Sequence, residues 1–164
     1  MRRFRMAFLL PLGAIALAAT LGGPAMATTT VNVTLWDKGA DANMATDLGM
    51  NMSGHDMSKA TMGVRAIPAA VKAGEVTFEV TNNSSETIHE MIVVPVHDTK
   101  SPLPYNDAES RVNEDAAGHL GEVSELDPGK AGALRLHLKP GKYVLFCNIP
   151  GHFANGMWTE LTVQ

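Results

Sequence analysis

The chain has 164 residues with 13 Lys and Arg against 17 Asp and Glu, a net charge of −4. That balance excludes nucleic acid or an anionic membrane surface as the main partner. Its single cysteine excludes an intramolecular disulfide.

The chain opens as a signal peptide. Arg2, Arg3 and Arg5 make a basic start, residues 6–21 are apolar, and Ala25-Met26-Ala27 places small residues where a signal peptidase reads. The apolar run is shorter than the roughly 20 residues of a bilayer span and contains Pro11 and Gly13. Cleavage near Ala27 leaves residues 28–164 as one domain, exported to a bacterial periplasm with no stable membrane insertion. It removes three arginines and no acid, so the net charge becomes −7 and favours a cationic protein partner. In that oxidising compartment the lone Cys147 is an inert buried thiol, a reactive thiol or a metal ligand.

Strand signals dominate the rest. Val31, Val33 and Leu35 alternate with polar residues, as do Val76, Phe78 and Val80, and then Leu134, Leu136 and Leu138. Residues 88–96 are apolar apart from His89 and Glu90, residues 143–147 are apolar on both faces, and residues 157–163 close the chain. Turn chemistry at 72–74, 81–84, 127–130 and 139–142 separates these runs. Many short strands with almost no helical periodicity predict an all-β, two-sheet sandwich. Two stretches lack the strand pattern: residues 39–62, rich in Met, Gly, Ala and Asp, and the polar residues 101–125, with a short helix predicted around 107–117.

The chemistry concentrates in CNIPGHFANGM, residues 147–157, where Cys147, His152 and Met157 recur at five-residue intervals. Pro150-Gly151 and Asn155-Gly156 can fold this loop so that thiol, imidazole and thioether meet. A soft thiolate and thioether with an imidazole suit copper, and such a site needs a second histidine from a neighbouring strand. The candidates are His55, His89, His97, His119 and His137. His137 alternates outward, His119 lies in the polar stretch, and His97 follows the apolar run. His89 opens an otherwise apolar strand, where a buried imidazole needs a partner that a metal would supply. A buried inert thiol is the ordinary reading of a lone cysteine, and a Cys–His nucleophile is the other chemical one. The latter gains nothing from Met157.

GKYVLFCNIPGHFANGM, together with AGEVTFEVTNNSSETIHEMIVV upstream, resembles the cupredoxins, the small blue-copper proteins, over about residues 64–163. The resemblance implies a Greek-key β-sandwich with one type 1 copper ion, held by His89, Cys147 and His152 in a plane and Met157 axially. Spacing points to the last three; the family likeness selects His89. One departure is Glu90, where several cupredoxins have an asparagine that braces the cysteine loop.

The resemblance further implies one-electron transfer rather than catalysis. The edge of His152 would be the port, inside an apolar patch of Ile149, Pro150, Phe153 and Ala154. A stand-alone oxidase would need further copper sites, but the chain has no His-x-His pair and Cys147 is flanked by Phe146 and Asn148. The expected partner of this monomer is a redox protein such as a cytochrome c, or a copper-handling protein. The alternative is a periplasmic copper-binding protein for tolerance or trafficking. It draws on residues 44–62, where Met50, Met52, His55 and Met57 could form a secondary Cu(I) site or act as adaptable packing.

Overall fold

Alternation in the sequence becomes sheet faces in the computed structural model, which describes residues 28–39, 41–44, 46–52, 56–98 and 100–164. The described strands are β1 (Thr29–Asp37), β2 (Met62–Ile67), β3 (Ala70–Val71), β4 (Gly74–Asn82), β5 (His89–Val96), β6 (Tyr105–Asn106), β7 (Arg111–Val112), β8 (Gly121–Leu126), β9 (Ala131–Leu138), β10 (Gly141–Phe146) and β11 (Trp158–Val163). One sheet runs β2-β1-β4-β9 and the other β3-β11-β10-β5-β8, while β6 and β7 form a separate ribbon. In the first sheet β1 lies parallel to β4, matching Val31 to Phe78 and Val33 to Val80. Both strands therefore aim their period-2 apolar residues at the same side. Those side chains pack with Met91, Val93, Tyr143, Leu145, Cys147, Met157 and Leu161 of the second sheet and its adjoining loop, closing the expected β-sandwich.

The second sheet has two buried faces. Ile92, Val94, Val144 and Phe146 point away from the sandwich interior and pack with Met50, Leu103, Val112 and Phe153. The two stretches without strand alternation supply this cover, which is why β5 and β10 read as continuous apolar runs. Two expectations need correction here. The polar stretch 101–125 contains β8, an edge strand whose only buried residue is Val123, too little for periodicity to register. Its helix is shorter than expected, Glu114–Ala117, capped by the Asn113 side chain accepting from Ala116 N–H and ended by Gly118 at φ 76°.

Among the described residues, no helix is long and apolar enough to cross a membrane. The signal-peptide reading falls on residues 1–27, which lie outside the described residues.

Candidate metal centre

β10 ends at Phe146, where its ladder with β5 reaches its last pair, Phe146 with Ile92. Beyond that pair, side-chain atoms replace the ladder. The Glu90 N–H donates to Cys147 Sγ at 3.5 Å, and the Asn148 N–H donates to Glu90 Oε1 at 3.0 Å. On its other side β5 shifts register against β8 between His89 and Met91, where two β8 residues oppose one on β5. Asn148, 1% exposed, is fixed further: its Oδ1 accepts from Val112 N–H at 2.7 Å and its Nδ2 donates to Glu114 Oε1 at 2.7 Å. Glu90, the departure from the asparagine pattern, thus does bracing work, with a carboxylate in place of an amide.

The loop from 147 to 157 closes on itself. Cys147 N–H donates to the Met157 carbonyl at 3.1 Å, and Met157 N–H donates to the His152 carbonyl at 3.1 Å. Gly156 sits at φ 91°, a left-handed conformation that a side chain disfavours, and a Cβ there would lie 3.1 Å from Met57 Cε. The first cover stretch clamps the loop from outside: Leu48 N–H donates to the Ala154 carbonyl, and Trp158 Nε1 donates to the Leu48 carbonyl, both at 2.8 Å.

These constraints bring His89, Cys147 and His152 together. His152 Nδ1 lies 3.3 Å from His89 Nδ1 and 3.3 Å from Cys147 Sγ, and all three donor atoms fall within 4.8 Å of one another. The three residues are 0%, 0% and 6% exposed, and Met157 is fully buried in the same core cluster as Cys147. Bonds of about 2.0–2.3 Å to one ion would hold nitrogen and sulfur donors at about this spacing, so the residues fit a single copper ion. The donor set, two imidazoles and a thiolate beside a buried thioether, is that of type 1 copper.

The electrostatics agree. Burial pushes the Cys147 thiol up to about 12, so it offers no free thiolate to act as a nucleophile. Burial and the neighbouring His89 push His152 down to about 4, and burial also lowers His89 against the pull of Asp37. Both imidazoles are therefore neutral near pH 7, as ligands must be. Asp37 is a residue that sequence reasoning missed. Its Oδ2 lies 2.8 Å from His89 Nε2, and its side chain is 3% exposed. The only signal was its place at the end of the alternating β1.

The other histidines stay outside the site. His97 and His137 are exposed, His119 lies 3.9 Å from Glu122 in an exposed pair, and His55 lies outside the described residues. Of the methionines considered for Cu(I), Met50 is 2% exposed, Met52 packs against the same cluster, and Met57 is 41% exposed beside the ligand loop. The expected apolar patch is also corrected. Phe153 and Ala154 are 1% and 5% exposed because the Phe153 ring packs on Phe146 beneath the sheet. One depression that reaches His152 is instead lined by Glu86, Thr87, Ile88, Arg111, Glu125 and Ile149, and a second lies on the Asp37 and Met44 side.

Comparison with known proteins bears on the same residues. Among curated proteins, none matches the chain by sequence. Among solved structures, it is similar to rusticyanin from Thiobacillus ferrooxidans at 16% identity and a TM-score of 0.53, covering 85% of this chain and 79% of that one. It is also similar to auracyanin B at 20% identity and a TM-score of 0.52, covering 87% and 92% of the two chains. Auracyanin A from Chloroflexus aurantiacus, described as a "blue" copper protein, matches at 17% identity and a TM-score of 0.50, covering 84% and 100%. At such identities the likeness is one of fold. The model of the sulfocyanin (SoxE) domain matches residues 50–164, most of the chain and all of its metal-ligand candidates. The chain belongs to the sulfocyanin (SoxE) domain family, a cupredoxin-like family of blue copper proteins.

Proposed function

We propose that this chain is a periplasmic carrier of single electrons and not an enzyme, with one type 1 copper held by His89, Cys147 and His152 in a plane and by Met157 axially. The observation that supports it most is the meeting of three buried donors within 4.8 Å, on elements 58 residues apart in sequence between His89 and Cys147. Copper bound there would supply a Cu(II)/Cu(I) couple. The residues themselves provide rigidity. The braces at Glu90 and Asn148 and the closed loop fix the backbone that carries the donors, so little need move when charge changes. Two imidazoles, a thiolate and a thioether would also leave copper no open position for a substrate.

His152, in the depression beside Ile88 and Ile149, is the natural point of exchange. The small apolar floor with a charged rim suits a short-lived contact with a redox protein such as a cytochrome c. In this reading residues 1–27 direct export, and residues 28–164 act as one monomeric domain whose net charge of −7 steers cationic partners. The test is the visible spectrum of the copper-loaded protein. An intense band is expected in the wild type and its loss in Cys147→Ser; a mutant that keeps its colour would refute the ligand assignment.

The second reading, copper tolerance or trafficking, draws on Met44 and Met57, 50% and 41% exposed, whose methyl groups lie beside Gly151 and Gly156 of the ligand loop. It places a secondary Cu(I) site at Met50, Met52, His55 and Met57. Binding of more than a single Cu(I) equivalent, reduced when Met52 and Met57 are replaced by leucine, would favour it. Fast reduction by a cytochrome c without a copper-sensitive phenotype in a deletion strain would favour the carrier.

A further inference from the structure

The Asp37 carboxylate is 3% exposed and one imidazole away from the donor cluster. It stands at the end of β1, in the sheet opposite the one that carries β5, and reaches across to His89 Nε2 at 2.8 Å. Its other oxygen accepts from the Gly39 N–H at 2.8 Å, and the Ser84 and Thr87 side chains lie near enough to favour its charged form. Those two residues are placed by a turn organised from Asn82, itself fully buried. Asn82 Oδ1 accepts from Ser84 N–H at 2.9 Å, while its Nδ2 donates to the carbonyls of Thr87 and Leu126, each at 2.8 Å. A carboxylate needs no such array merely to fill space. The array holds a negative charge that is largely shielded from water, its side chain 3% exposed.

Two consequences follow from the position. A carboxylate accepts hydrogen bonds and does not donate them, so His89 Nε2 must carry the imidazole proton. The lone pair is then on Nδ1, the atom that faces Cys147 and His152. In addition, a fixed anion stabilises the more positive of two charge states nearby, and for copper that is the oxidised one.

We propose that Asp37 is the positioning residue of this metal centre: it sets the His89 tautomer and biases bound copper toward Cu(II). The charge half of the proposal rests on the copper reading above, whereas the tautomer half does not.

Two measurements test it. In the metal-free wild type, ¹H–¹⁵N NMR of the His89 ring should show the proton on Nε2; a proton on Nδ1 would overturn the proposal. In the copper-loaded protein, Asp37→Asn keeps the shape and an acceptor oxygen but removes the charge. Its preference for Cu(I) over Cu(II) should rise about tenfold or more, an upward shift of about 59 mV or more for one electron, with the visible band retained. An unchanged potential with that band intact would overturn the charge role, whatever the variant does to stability. If the wild type itself shows no intense band, the copper reading and the charge role fall together, and the NMR result still decides the tautomer.

Discussion

Acidification of the metal-free protein tests the burial of the two imidazoles. His152 has its pKa lowered from 6.5 to about 4, by burial first and by His89 second. A depressed folded-state value means that the unfolded chain binds the proton more readily. The associated stability is fully present above about pH 6.5 and is lost as pH falls toward about 4. At about 1.4 kcal/mol per pKa unit, His152 alone accounts for about 3 kcal/mol across that window, a large share of the roughly 5–15 kcal/mol that holds a domain folded. His89 is shifted in the same direction and adds to the slope. Burial raises the Asp37 carboxyl, but hydrogen bonds from Ser84, Gly39, His89 and Thr87 outweigh it and lower the pKa to about 2, so its contribution is lost only at lower pH. Urea unfolding at constant ionic strength between about pH 7 and pH 4 should show a steep fall in midpoint, and His152→Gln should remove most of it. Saturating copper should suppress the slope, because the ion competes with protons for the same ring nitrogens. A metal-free wild type whose stability varies by less than about 1 kcal/mol over the window would refute the claim that His152 is held neutral by burial.

Three substitutions probe the scaffold around the donors. Met157→Leu should retain copper and its visible band while raising the reduction potential, read by voltammetry; a lowered potential would contradict an axial thioether. Gly156→Ala forces a side chain into the left-handed region and brings a Cβ to 3.1 Å from Met57 Cε and 3.3 Å from Ala60 and Leu48 Cβ. It should cost about 1–2 kcal/mol, and an unchanged melting temperature would refute the close packing of that loop. Glu90→Ala strips the acceptor from the Asn148 N–H; the loss should be about 1–3 kcal/mol by denaturant unfolding, with a shift in the visible band as the cysteine loop loosens.

Sequence patterning reveals the strands that are buried on one or both faces and conceals those that are not. Val31, Val33 and Leu35 announce β1, and residues 143–146 announce a central strand, because alternation or a continuous apolar run is the direct record of burial. β8 leaves no such record. It is an edge strand, its outward residues Glu122, Ser124 and Glu125 are exposed, and Val123 alone cannot make a period. The Met-rich stretch is illegible for a related reason. Leu48 is buried beside Gly156, and Met50 against Phe153 and the outer face of β10, but they lie in irregular backbone, where neither period 2 nor period 3.6 applies.

The metal centre divides along the same physical line. Cys147, His152 and Met157 are close in sequence because one loop delivers them, so their chemistry can be read from spacing. His89 needed the family resemblance, since nothing local to it distinguishes a ligand from a satisfied core histidine. Asp37 was beyond either route, and the reason is geometric. It reaches the site across the gap between two sheets, over 52 residues of sequence to its partner His89, at a point where β1 leaves its alternating pattern. A carboxylate at a strand end is ordinarily solvated and carries no signal of its own. Only the distance to Nε2 and the loss of solvent exposure turn it from a surface acid into part of the copper environment. The groups that tune a centre of this kind should therefore be sought first among polar residues on the facing sheet, where the fold rather than the sequence makes the contact.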